Sequence, residues 1–141
     1  MNEADALARR VAAAMLEREG TGPAWGISID DAREGYALMR MTVRDDMLNR
    51  HRIALGGMIF ALADTAFAYA CNSRNESSVA QNATISFLAP AAAGDVLIAE
   101  ARETSRSGRS GVYQVSVKTA VGAVIAEFTG LSRTIGGPVI N

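Results

Sequence analysis

One carboxylate stands alone in the most apolar stretch of this chain. From Gly56 to Cys71 the sequence reads GGMIFALADTAFAYAC, and Asp64 is its single charge. Taking an unpaired carboxylate out of water is costly. Asp64 is therefore either satisfied by a neighbour, such as the hydroxyl of Thr65, or used as a general base or a nucleophile. Gly56 and Gly57 open the same stretch. A helix that starts there leaves its first N–H groups unpaired and partly positive. Without side chains in the way, a substrate oxygen can approach them closely. The pair reads as an oxyanion hole, or more plainly as two residues that permit a turn.

Spacing limits how these groups can cooperate. Eight residues separate Gly56 from Asp64, roughly 12 Å along a helix axis. That is too far for both to touch one reacting carbonyl within one chain. If both act on one bond, they come from two antiparallel helices in a symmetric pair, with Gly57 of one helix opposite Asp64 of the other. A catalytic reading thus predicts a homodimer with interfacial active sites.

The elements that must position these groups follow from pattern. The Gly56–Cys71 stretch lacks Pro, and its Ala, Leu, Met and Phe favour a helix. Apolar residues occur on every side of it, which predicts protein wrapped around most of residues 58–71. It is shorter than the ~20 apolar residues that span a bilayer. Glu3 to Glu19 reads as a first helix, with Leu7, Val11 and Met15 at four-residue spacing and Gly20 as its stop. Trp25–Asp30 and Tyr36–Arg44 read as strands joined by the turn DAREG. After the polar loop Asn72–Ser78 come four more strand-like runs, at 79–88, 95–104, 111–119 and 124–135. The small polar segment SRSGRSG lies between the second and third of these. The order predicts an α+β fold, one antiparallel β-sheet wrapped around a central apolar helix, as a single domain over residues 1–141.

Composition removes several classes. The formal charge of −1 gives no basic footprint for nucleic acid. One cysteine excludes an internal disulfide framework and fits a reducing compartment, with Cys71 a small buried thiol. The start MNEADALARR lacks the order of a signal peptide, and no membrane span is visible, so a cytoplasmic protein is expected. One histidine and one cysteine supply neither a zinc site of the usual donors nor a Ser-His-Asp set. No metal or cofactor is expected.

The central segment resembles the hotdog-fold acyl-CoA thioesterases, and closely the phenylacetate-degradation branch. The resemblance is carried by Met47-Leu48-Asn49 and by the run from Gly56 to Asn72. Thr84-Ile85-Ser86-Phe87-Leu88-Ala89-Pro90, Gly94-Asp95, Gly111-Val112-Tyr113 and Ile135-Gly136-Gly137 extend it over nearly the whole chain. It implies a sheet wrapped round a central helix, hydrolysis of acyl-CoA thioesters, and homodimers that commonly pair into tetramers. It assigns Asp64 as the catalytic carboxylate. Gly57, with Gly56, starts the helix that polarises the thioester carbonyl, and Asn49 lies near the reacting carbonyl or water.

Two departures stand out. The family usually carries His-Gly-Gly, and here the histidine position is Leu55. His51, the only histidine, lies in the same loop, as a partial substitute or as an ordinary exposed residue. Relatives often have Arg in Phe-Leu-Arg-Pro, where this chain has Ala89. Arg106 and Arg109 are the remaining candidates to meet a CoA phosphate, or are charges on a solvated turn. The leading reading is an acyl-CoA thioesterase acting on phenylacetyl-CoA or hydroxyphenylacetyl-CoA. The alternative is a non-catalytic acyl-CoA binding hotdog protein, which Leu55 favours. A hotdog hydratase ranks last, because no His follows Asp64.

Overall fold

A computed structural model describes residues 1–141. Helix α1 spans Glu3–Arg18; the Asn2 side chain caps it, accepting from the Asp5 N–H at 2.8 Å. Helix α2 is a short turn, Thr21–Trp25. Six strands follow, interrupted by the long helix α3 (Gly56–Cys71): β1 (Ser28–Arg33), β2 (Tyr36–Thr42), β3 (Ser78–Phe87), β4 (Val96–Ser107), β5 (Ser110–Thr119) and β6 (Val124–Thr134). They form one antiparallel sheet in the order β1-β2-β4-β5-β6-β3, and α3 packs against all six.

The inward-facing alternate residues make the core. Met39 and Met41 of β2 lie opposite Ala99 and Leu97 of β4, and Val115 of β5 lies opposite Phe128 of β6. All of these are buried, as are Leu62, Ala66 and Phe67 of α3. Gly130 on β6 lets the helix settle. A Cβ there would stand 2.7 Å from the Phe67 ring, so only a glycine admits that ring. Phe67 in turn packs at 5.5 Å from Tyr113 and 5.7 Å from Phe128.

The structure corrects three expectations. Trp25 ends a helix and does not begin a strand. Pro23 sits in the first turn of α2, where a missing N–H costs nothing, and Gly26 at φ +67° closes the turn. The strand therefore starts at Ser28, bulges at Asp30, and reverses at Glu34-Gly35. The segment SRSGRSG is mostly strand. Pairing runs to Ser107 opposite Ser110, leaving Gly108-Arg109 as the turn.

The third correction bears on the site. Nine residues of α3 are buried, but Gly57, Phe60, Ala61, Asp64, Thr65 and Ala68 are not. At three- and four-residue spacing they form one stripe along the helix. A single sheet layer covers one side of a helix and leaves this stripe open. The neighbouring strand β3 is also open. It is a sheet edge, and seven of its ten residues are exposed. The other edge, β1, packs against α1. No helix is long and apolar enough to cross a membrane.

Candidate active site

The segment before α3 is a tight loop with one side chain at its centre. Leu48 bridges Ala54, the Asn49 N–H donates to the Ile53 carbonyl at 2.8 Å, and the Arg52 N–H donates to the Asn49 carbonyl at 3.0 Å. The Asn49 Oδ1 accepts from the N–H of His51 at 2.9 Å and of Ile53 at 3.4 Å. Asn49 thus spends its acceptor on the loop. Its Nδ2 has no partner in the chain and remains a donor.

At the start of α3, Leu55 is the N-cap and offers no side-chain acceptor. The first N–H to find a partner is that of Met58, which donates to the Leu55 carbonyl at 2.9 Å. The N–H groups of Gly56 and Gly57 have none. Neither glycine has a positive φ, so the chain turn does not require them. Gly56 is explained by a neighbour: a Cβ there would stand 3.0 Å from the tip of the Phe87 ring. Gly57 has no such reason within the chain. Its nearest neighbour would be Leu55 Cδ2 at 3.8 Å, and it is exposed.

An open groove of about 460 Å³ runs up to this helix end, with Asn49, Ile53, Gly56, Ile59, Phe87 and Ala89 among its walls. The groove was not legible from the sequence, and neither was Phe87, because no local pattern places a strand-end phenylalanine over a distant glycine.

Asp64 lies two turns further along the same stripe as Gly57, seven residues or about 10.5 Å away. Its carboxylate has no hydrogen-bond partner. The Thr65 hydroxyl donates to the Ala61 carbonyl at 2.6 Å and does not serve it. Burial pushes the Asp64 pKa above the ordinary carboxylate value. Cys71, at the far end of α3, is buried, and its thiol is pushed up to about 12 by burial and by the Asp64 charge, which keeps it protonated and inert. Within one chain, Asn49 and Gly56 meet in one groove, while Asp64 stands apart on the open stripe. Arg106 and Arg109 line a small polar pocket beside Cys71, at the opposite end of α3 from Gly56. Arg106 is tied to Glu76 at 3.7 Å.

One antiparallel sheet cradling a single apolar helix is the hotdog architecture. The sequence profile of the thioesterase superfamily matches residues 51–126, and the chain belongs to that family. It is 44% identical to acyl-coenzyme A thioesterase PaaI of Escherichia coli (strain K12) over 126 residues, 89% of this chain and 90% of that protein. The solved structure of the E. coli PaaI protein from the phenylacetic acid degradation operon superposes with a TM-score of 0.95 at 42% identity, covering 96% of this chain and 99% of that chain. A mutant of phenylacetic acid degradation protein PaaI from Thermus thermophilus superposes with a TM-score of 0.80 at 34% identity, covering 83% of this chain and 100% of that chain.

Proposed function

We propose that this protein hydrolyses acyl-CoA thioesters carrying a phenylacetyl or ring-hydroxylated phenylacetyl group, at two sites shared across a homodimer. One observation carries the reading. Gly57 with its free N–H and Asp64 with its unpartnered carboxylate lie on one open stripe, beside an open strand edge. Two copies related by a two-fold axis place Gly57 of one against Asp64 of the other. The thioester oxygen accepts from the Gly57 N–H and the Asn49 Nδ2. Asp64 of the second chain removes a proton from water as it attacks the carbonyl carbon. The C–S bond then breaks and the proton held by Asp64 passes to the departing thiolate, giving the acid and CoA and restoring the carboxylate. A raised carboxyl pKa makes Asp64 a stronger base than an exposed aspartate. The activity for which the E. coli relative is named supports the acyl-CoA class. Phe60 and the small Ala61 and Ala68 on the open stripe offer flat apolar walls that suit an aromatic ring. A cytoplasmic setting, and further pairing of dimers into tetramers, fit the same reading.

The test is a panel of acyl-CoA esters with released thiol measured continuously. The reading expects the highest kcat/KM for the phenylacetyl esters. Equal rates on straight-chain esters of similar length overturn the acyl assignment. Binding of the esters with no thiol release hands the protein to the non-catalytic alternative, for which Leu55, 51% exposed at the helix start, is the favouring observation.

A further inference from the structure

The chain carries an arrangement of charge that the reaction above does not use. Most of its arginines are neutralised: Arg9, Arg33, Arg40, Arg44, Arg74, Arg102 and Arg106 each sit within 4 Å of a carboxylate. Arg10, Arg18, Arg109 and Arg133 have no such partner, and neither do Arg50 and Arg52, the two of these six that stand next in the chain to the groove residues Asn49 and Ile53. Both are exposed, neither makes an ion pair or a side-chain hydrogen bond, and His51 stands between them. From Met47 to Ala63 the sequence contains no Asp or Glu to offset them. These three residues form the tip of the loop that Asn49 closes, and the backbone there is held in place, with Arg52 at φ +65°.

The position of that tip gives the charge a meaning. Asn49 and Ile53, which flank the three residues, line the groove that leads to Gly56. None of the groove's lining residues is charged; apart from Asn49, they are apolar or backbone-like, and Leu88 beside them is 61% exposed. A thioester whose carbonyl rests on the helix start runs its uncharged arm along such a groove. Any phosphate at the end of that arm then emerges at the mouth. Ala89 leaves the opposite wall without a cation. Arg106 and Arg109 are at the far end of α3 in the same chain, and only the copies carried by the second chain of the proposed dimer come toward this mouth, so the experiment compares the two pairs directly.

We propose that Arg50, His51 and Arg52 hold the phosphates of the nucleotide end of an acyl-CoA, while the adjoining groove takes the pantetheine arm. This rests on the acyl-CoA reading above. Two guanidinium groups and an imidazole supply several donors for phosphate oxygens, and guanidinium groups bind phosphate in pairs of parallel hydrogen bonds. Because the tip is exposed, salt screens the interaction.

The experiment compares one acyl group on two carriers: CoA, and pantetheine, which lacks every phosphate. The readout is the ratio of kcat/KM for the CoA ester to that for the pantetheine ester. In the Arg50→Ala/Arg52→Ala variant the ratio falls about tenfold, the scale of two partly screened charge contacts, through KM and not kcat. Added salt lowers the ratio in the natural protein and has little effect in the variant. Arg50→Lys/Arg52→Lys recovers much of the loss. An unchanged ratio overturns the proposal, and so does a larger fall from Arg106→Ala/Arg109→Ala. If the natural protein cleaves neither ester, the hydrolytic reading fails by itself. Calorimetric titration with CoA then decides the loop: weaker CoA binding by the Arg50→Ala/Arg52→Ala variant supports it, and equal binding refutes it.

Discussion

Replacing Asp64 by Asn removes one charge and almost nothing else. The two side chains have nearly the same shape, and the Asp64 carboxylate accepts no hydrogen bond that its loss would orphan. The chemistry should therefore bear the whole effect. Loss of a general base lowers rates by about 10²–10⁴-fold, equivalent to about 3–5 kcal/mol in the barrier. Stability should move the other way. Burial raises the folded-state pKa of Asp64 above its unfolded value, so the ionised form is disfavoured by folding. That penalty is fully present above the folded pKa and is gone below the unfolded pKa. Asp64→Asn should accordingly melt higher than the natural protein at neutral pH, with the gap closing as pH falls. In the natural protein kcat/KM should fall in acid, with a midpoint above the ~3.9 of an exposed aspartate. Thiol release and thermal melts across pH on both proteins measure all of this. Turnover within tenfold of normal, or a lower melting temperature at pH 7 with dimer intact, would refute the reasoning.

Other outcomes follow from the same geometry. Mixing Asp64→Ala chains with Gly57→Pro chains should restore activity, because one of the two shared sites in a mixed dimer is intact; no recovery in verified heterodimers would put each site within one chain. Leu55→His should change kcat/KM or acyl preference with fold and assembly unaltered, since residue 55 is half exposed at the helix start and nothing in the chain crowds it. Gly130→Ala should lower stability by about 1–3 kcal/mol, since its Cβ meets the buried Phe67 ring. Gly56→Ala should cost less and act on KM, because the Phe87 ring it meets is 52% exposed and can swing aside. Denaturant melts and steady-state kinetics on the two alanine variants separate these effects.

The fold is legible in the sequence where periodicity is strong. The apolar run of α3, the alternation around Val115 and Val117, and the four-residue spacing in α1 each point to the right element. Sequence and structure part where glycine and proline read as breaks. Gly22-Pro23 lies inside a helix turn, and Gly108 marks a two-residue reversal between strands that otherwise continue through polar residues. Polar character misleads there because those strand ends project beyond the core, where pairing is set by backbone hydrogen bonds and not by burial. For the candidate site, residue types single out Asp64 and Gly57, and simple length along a helix separates them. The job of Gly56 cannot be read locally. It depends on Phe87, thirty-one residues away, and on a strand order in which β3 pairs with β6.

The open edge of β3 makes assembly a matter of solubility as well as chemistry. Its sequence, SVAQNATISF, contains no Lys, Arg, Asp, Glu or Pro, and those are the residues that keep strand edges from pairing with strangers. A freshly made chain, or one diluted below the concentration at which copies meet, presents ten residues of unguarded backbone to any passing strand. Heating should then remove this protein from solution by irreversible association, and the loss should begin while most of each chain is still folded. A single lysine placed on that edge should keep isolated chains soluble, and in the proposed homodimer it would do so by preventing the pairing of copies.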